Sequence, residues 1–261
     1  MKEKCIKRAI IDLDMGTDDY LALLILLHAE KIGELKIEAI VCSMGNTTVQ
    51  NVVRNVVRLL EIVGRTDVSM LPIPIYKGVE KQFILPKQSI EKFHGEDGFG
   101  DLHHDKEPDV SIIRDTPAAI AIHDIIIKEP NQISIICVGP LTNLALAIKL
   151  YSELVSIIKE VWIMGGNHTA VGNVTSAAEY NFYVDPEAAY IVLECLKCPI
   201  FILPWEPCLL PEITFEWRYN TLGDKTPALH LLTLAEKKIY YNNYKFWLPC
   251  DAFPRFLFLK S

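Results

Sequence analysis

Ile10-Ile11-Asp12-Leu13-Asp14-Met15-Gly16-Thr17-Asp18-Asp19 constrains this chain more than any other stretch. An apolar strand, Ala9 to Leu13, runs straight into a turn at Gly16. A helix is expected from Tyr20 through Leu21, Leu23, Leu24, Leu26 and Leu27. Four carboxylates therefore collect where a strand ends and a helix begins. Acidic residues in a first helical turn are ordinary, because free N–H groups and the helix dipole favour them. Capping accounts for one or two of the four. The rest repel one another unless a cation or a hydroxyl-rich ligand holds them together. Hard cations such as Ca²⁺ and Mg²⁺ take oxygen clusters of this kind. A metal or polyol site is the expectation here.

The rest of the chain repeats the strand-then-helix alternation. Strands are expected at Ile37–Ser43, Ile73–Tyr76, Ile133–Val138, Val161–Met164 and Ile200–Leu203. Thr47 or Thr48 caps a helix whose apolar positions Val49, Val52, Val53, Val56, Leu60 and Val63 have helical spacing, and Gly64 ends it. Further helices are expected from Thr116-Pro117 to about Ile127, over Leu141–Leu150, and from Asp185-Pro186-Glu187, with Asp185 as the cap. Residues 77–108 are irregular and rich in Gly, Asp and His, as functional or mobile loops are. After Pro211 the pattern is helical and weaker. Alternation of this sort predicts an α/β fold: an open, mostly parallel sheet with helices on both faces.

Ligands of such sheets bind beyond the carboxyl ends of the strands. The unusual polar residues fall there repeatedly: Asp14, Asp18 and Asp19, then Gly45-Asn46, then Gly139, Thr142 and Asn143. Asn173, Glu179 and Asn181 follow Val161–Met164, and Trp205-Glu206 follow Ile200–Leu203. Carboxylates and amides with few cations suit a neutral polyhydroxy ligand plus a metal.

The chain has 261 residues, 26 basic against 33 acidic, and a net charge of −7. An acidic balance without a basic stripe argues against nucleic acid as a partner. No apolar run approaches the roughly 18 residues that span a bilayer. The basic start, Met1 to Arg8, meets Asp12 too soon for a signal peptide, so a cytoplasmic location is expected. Seven cysteines scattered through apolar segments read as reduced core residues. Cys195-x-x-Cys198 lacks a second Cys or His pair, so its zinc-like spacing is read as chance.

Asp12-x-Asp14-x-Gly16-x-Asp18-Asp19 resembles the N-terminal motif of the inosine–uridine preferring nucleoside hydrolases. The resemblance continues through Gly45-Asn46-Thr47-Thr48, His94-Gly95-x-Asp97-Gly98, Val138-Gly139-Pro140-Leu141-Thr142-Asn143-Leu144-Ala145 and Met164-Gly165-Gly166. It extends over the block from Gly172-Asn173 through Glu179-Tyr180-Asn181 to Ala189, nearly the whole chain in order. The resemblance implies the nucleoside hydrolase fold with its Rossmann-like core. It also implies an N-ribosidase that splits a nucleoside into ribose and base, with Ca²⁺ at the floor of the site. By motif position, Asp14, Asp19, the Thr142 carbonyl and Asp251 correspond to the calcium ligands, and Asp14 to the general base. Asn46 corresponds to a position beside the metal and the attacking water. Asp18, Asn173, Glu179, Asn181 and Asp251 correspond to residues around the ribose, and Met164 to its pocket. Asp12 corresponds to a position that supports the loop from behind. A homodimer or homotetramer is what the family suggests.

Several residues have plainer readings. Asn143 reads as a helix-start residue, His103-His104 as solvated loop, His168 as surface loop or pocket neighbour, and His94 as loop structure or pocket lid. The sequence departs from the family twice. Leu248-Pro249-Cys250-Asp251 has Cys where many members carry His, which leaves the leaving-group acid unassigned, with Trp205, Glu206 and Tyr183 candidates only by position. The chain also stops ten residues after Asp251, so residues 1–261 are read as one nucleoside hydrolase domain lacking the family's C-terminal elements, with Asp251 poorly held. Two alternatives are kept: an inactive or nucleoside-binding truncated relative, and a haloacid dehalogenase-type phosphatase using Asp12 and Asp14.

Overall fold

β1 (Lys7–Leu13) sits at the middle of the sheet because it is apolar on both faces. Ala9, Ile11 and Leu13 join one hydrophobic cluster and Ile10 joins the other. That alternation is the strand period of two, and a strand with apolar residues on both faces has to be covered on both sides. The computed structural model describes residues 6–66, 72–84, 92–240 and 244–261. The first five residues, read above as the start of a cytoplasmic chain, and residues 85–91 of the irregular segment lie outside the described residues.

The elements follow in the expected alternation. β1 is followed by α1 (Thr17–Lys31), β2 (Leu35–Cys42), α2 (Val49–Ile62), β3 (Ile75–Lys77) and α3 (Ala118–Ile126). Next come β4 (Ser134–Cys137), α4 (Thr142–Leu150), α5 (Leu154–Ile157), β5 (Glu160–Met164), α6 (Tyr180–Val184) and α7 (Pro186–Cys195). β6 (Ile200–Leu203), α8 (Trp205–Cys208), α9 (Phe215–Trp217), α10 (Pro227–Tyr240) and α11 (Ala252–Lys260) complete the series. All pairings are parallel, in the order β3-β2-β1-β4-β5-β6. The α/β expectation, an open parallel sheet with helices on both faces, is met.

Local chemistry explains the element ends. Thr48 caps α2 by accepting from the Asn51 N–H at 3.4 Å. Asp185 caps α7, accepting from the Ala188 N–H at 3.1 Å. Several expected boundaries move, those of α1 and α3 among them. α1 starts at Thr17 rather than Tyr20, because the Gly16 carbonyl already accepts from the Tyr20 N–H at 2.9 Å. Asp18 and Asp19 are therefore in the first helical turn. Pro117 precedes α3 as its cap instead of opening it.

The strand order decides where a ligand can go. β1 lies between β2 and β4, and the chain winds outward from it in opposite directions. The loops leaving β1 and β4 therefore part company, and a crevice opens above their carboxyl ends. Among the described residues, no helix is long and apolar enough to cross a membrane. The six described cysteines are free thiols.

Candidate active site

The turn between β1 and α1 is sharp. Met15 adopts the left-handed conformation with φ of 53°, which costs a non-glycine residue about 1–2 kcal/mol. Its side chain is fully buried, which offsets that strain. Met15 thereby separates Asp14, at the end of β1, from the Asp18–Asp19 pair that opens α1.

Asp14 is held by backbone. Its Oδ2 accepts from the Asn46 N–H at 2.8 Å, while Oδ1 has no hydrogen-bond partner among the described residues. Gly45 makes this approach possible: a Cβ there would lie 2.0 Å from Asp14 Oδ2. Gly45→Ala must displace the carboxylate or the loop, so it is expected to lower stability by about 2 kcal/mol. Thermal denaturation of the variant checks this; an unchanged melting temperature would mean the loop gives way freely.

Asp19 accepts from the Gly16 N–H at 2.9 Å and from Asn46 Nδ2 at 3.4 Å, both at Oδ2. Its Oδ1 is buried without a hydrogen-bond partner among the described residues, and Oδ1 of Asp18 also lacks one, with His94 Nε2 3.6 Å away. Asp251 comes from the start of α11, far away in sequence. One carboxylate oxygen each from Asp18, Asp19 and Asp251 lie within 4.8 Å of one another. Asp251, read from the sequence as poorly held, is buried, and α11 packs against α1.

Burial penalises charge on these groups, and they also repel one another. Burial first, then the Asp19 and Asp18 charges, push the Asp14 carboxyl well above its ordinary range, against the pull of the Asn46 N–H. Asp19 is pushed up to about 6 by burial and by Asp18, with Arg255 and Gly16 opposing. Asp251 rises well above its ordinary value from burial and from Asp18, Asp19 and Asp14. Oxygens of Asp14, Asp18 and Asp19 buried without a hydrogen-bond donor among the described residues, with Asp251 beside Asp18 and Asp19, are the donor set a hard divalent cation takes. The residues present fit such an ion.

A second group of residues faces them. Glu179 caps α6, taking the N–H groups of Asn181 at 2.9 Å, Phe182 at 3.1 Å and Gly166 at 2.7 Å. Burial raises its pKa, and those three donors partly counter the rise. Asn181 donates to the Val138 and Met164 carbonyls at 3.1 Å each, tying α6 to the ends of β4 and β5. These residues, with Met164, Asn173, Asp14 and Asn46, line one cavity of about 600 Å³, which Asp18 and Asp251 also border. Asp19 lies below it in the acidic cluster. Thr142 is set back, its hydroxyl donating to Asp185 Oδ2 at 2.6 Å. Asp185 is therefore a cap that also anchors the start of α4.

Asp12 stays behind the turn, accepting from Ser43 and, at 3.5 Å, from Asn143, and burial pushes its pKa to about 7. Asn143 does more than start a helix. Its Nδ2 donates to Ser43 at 2.7 Å and its Oδ1 accepts from the Val79 N–H at 2.9 Å, joining three loops. His94 is buried in the cavity wall. Its Nδ1 accepts from the Thr17 N–H at 3.2 Å, which leaves the proton on Nε2, 3.6 Å from Asp18. Glu206 is drawn away from the site: it accepts from His168 and Thr169. Desolvation favours its neutral form, but those donors prevail and hold its carboxyl well below the usual range, which unsuits it as an acid.

Sequence reasoning missed an aromatic wall. Phe93, Tyr240 and Tyr244 line the cavity, with ring centroids 5.5–5.6 Å apart and edges meeting faces. Phe93 borders the His94-Gly95 motif without being part of it, and Tyr240 looks like any apolar position of α10.

Comparison with known proteins agrees with this arrangement. The sequence matches the family described as "Inosine-uridine preferring nucleoside hydrolase" over residues 9–260. It is 38% identical over 186 residues to the pyrimidine-specific ribonucleoside hydrolase RihA of Salmonella enteritidis PT4, covering 71% of this chain and 56% of that protein. It is 35% identical over 191 residues to the probable uridine nucleosidase 2 of Arabidopsis thaliana, covering 72% and 56%. The chain thus spans about half the length of these curated relatives. The solved structure of an inosine-guanosine nucleoside hydrolase superposes with a TM-score of 0.85 at 25% identity, over 96% of this chain and 78% of that one. The haloacid dehalogenase alternative is set aside by these matches. From the motifs, the parallel sheet and the crevice above β1 and β4, this chain belongs to the inosine-uridine preferring nucleoside hydrolase family.

Proposed function

We propose that this protein hydrolyses the N-glycosidic bond of ribonucleosides in a Ca²⁺-dependent reaction that yields ribose and free base. One observation carries the reading: carboxylate oxygens of Asp18, Asp19 and Asp251 lie within 4.8 Å of one another at the edge of a cavity lined by Asp14, amides and aromatic rings. The described lining includes no Lys or Arg, so the cavity suits a nucleoside better than a phosphorylated ligand.

Asp14, Asp19 and Asp251 are the proposed cation ligands. A bound Ca²⁺ supplies positive charge that acidifies a water and orients hydroxyl groups. Asp14 takes the proton of the attacking water at Oδ1, its free oxygen, while the Asn46 N–H holds Oδ2 in place. Asn46, bonded to both Asp14 and Asp19, keeps the two carboxylates in register. Asp18, Asn173, Glu179 and Asn181 hold the ribose hydroxyls, with Asp251 beside them and Met164 against the sugar. Holding the sugar in this way converts binding energy into alignment of its anomeric carbon with the water. As the bond to the base breaks, positive charge builds on the ribose, and the Glu179 carboxylate stabilises it. The rings of Phe93, Tyr240 and Tyr244 flank the planar base.

Names of relatives point to both pyrimidine and purine nucleosides, so both belong in the test. Purified protein is incubated with uridine or inosine, in Ca²⁺ or in EDTA, and free ribose is followed. Ribose release that needs Ca²⁺ is the expected result. Calcium uptake without ribose release would instead select the inactive, nucleoside-binding relative.

A further inference from the structure

Arg255 is fully buried on α11, one turn beyond Asp251. Its Nη1 donates to the backbone carbonyl of Asp19 at 3.4 Å. Its Nε and Nη2 have no hydrogen-bond acceptor among the described residues. A buried guanidinium with idle donors is costly, and it persists only where charge of opposite sign compensates it. The charges it feels are those of Asp19, Asp251 and Asp18, and Asp19 and Asp251 feel it in return. No sequence signal marks it, because residues 253–260 match none of the motifs.

We infer that Arg255 is a resident counter-cation of the acidic cluster, stabilising the cation-free protein and for the same reason weakening the cluster's hold on a divalent cation. This rests on the reading of that cluster as a cation site. Without a counter-charge, the buried carboxylates of Asp14, Asp18, Asp19 and Asp251 repel one another. Arg255 reduces that repulsion from behind, through the first turn of α1. A divalent cation entering from the cavity relieves the same repulsion, so part of its advantage is already taken. It also meets a like charge across the cluster. The cation-free form should therefore lose more stability than the Ca²⁺-bound form when Arg255 is lost. A residue that only fills space would shift both forms alike.

The test uses Arg255→Met and Arg255→Lys, thermal denaturation in EDTA and in Ca²⁺, and calorimetric titration with Ca²⁺. Arg255→Met should melt about 10 °C lower in EDTA. It should bind Ca²⁺ tighter by on the order of tenfold. Arg255→Lys, which keeps the charge, should bind Ca²⁺ within about threefold of the wild type. Equal melting losses in both buffers with an unchanged dissociation constant would overturn the inference, as would an Arg255→Met protein that stays insoluble in both. A wild-type protein that takes up no Ca²⁺ would instead overturn the cation-site reading beneath it.

Discussion

Asp14→Asn is expected to lower ribose release by on the order of 10³-fold or more. The change is nearly isosteric. Asn keeps an oxygen that can accept from the Asn46 N–H, and Gly45 still leaves room for it. What disappears is a group able to take a proton at the position of Oδ1. The fold should not suffer, because charge on Asp14 is opposed by burial and by Asp19. At neutral pH in EDTA the variant should melt no lower than the wild type. The measurement is ribose release alongside a melting curve. Undiminished release would defeat the assignment of Asp14 as the base, and a collapsed fold would show that the carboxylate is structural.

The second large effect links Ca²⁺ to pH. Asp19 has a carboxyl raised to about 6 in the folded protein, from an ordinary value of 3.8. Between those values the folded state holds a proton that the unfolded state has lost. Its contribution to stability is therefore full below about pH 4 and is lost as pH rises through 6, amounting to about 3 kcal/mol for this group. In EDTA the melting temperature should fall across that window, by about 10 °C for a domain of this size. Ca²⁺ competes with those protons, so its affinity should rise over the same range, and the melting temperature gained on adding it should be larger at pH 8 than at pH 5. Asp12, raised to about 7 by burial behind the turn, adds a loss of the same sign with or without the cation. The difference between the EDTA and Ca²⁺ curves isolates the cluster. A difference that does not change with pH would count against the acidic cluster as a cation site.

Both expectations depend on residues whose chemistry is legible in the amino-acid sequence. Asp14, Asp18 and Asp19 announce themselves by crowding, and Glu179 and Asn181 by their place after a strand. The burial of β1 on both faces follows from the consecutive apolar residues Ala9, Ile10 and Ile11. Other features are out of reach of sequence. The start of α1 depends on one backbone hydrogen bond from Tyr20 to Gly16, which has no side-chain signal. Asn143 reads as a helix-start residue because its partners, Ser43 and Val79, are far away in the chain. Glu206 is available by position, and only its neighbours His168 and Thr169 show it engaged. Tyr240 and Tyr244 share a wall with Phe93 across a long sequence gap.

By itself, the sequence determined the alternation of strands and helices, the family, and a supply of carboxylates and amides at strand ends. Those are consequences of local pattern and of short segments whose residues act on their immediate neighbours. The tertiary structure alone decided that β4 pairs with β1, which opens the crevice. It brought Asp251, assigned to the cluster beforehand only through the family resemblance, next to Asp18 and Asp19, and it put the charge of Arg255 behind them. These are contacts between distant segments, set by which faces pack together. The electrostatics of the cluster, unlike its composition, exist only once burial has removed the water that would otherwise screen them.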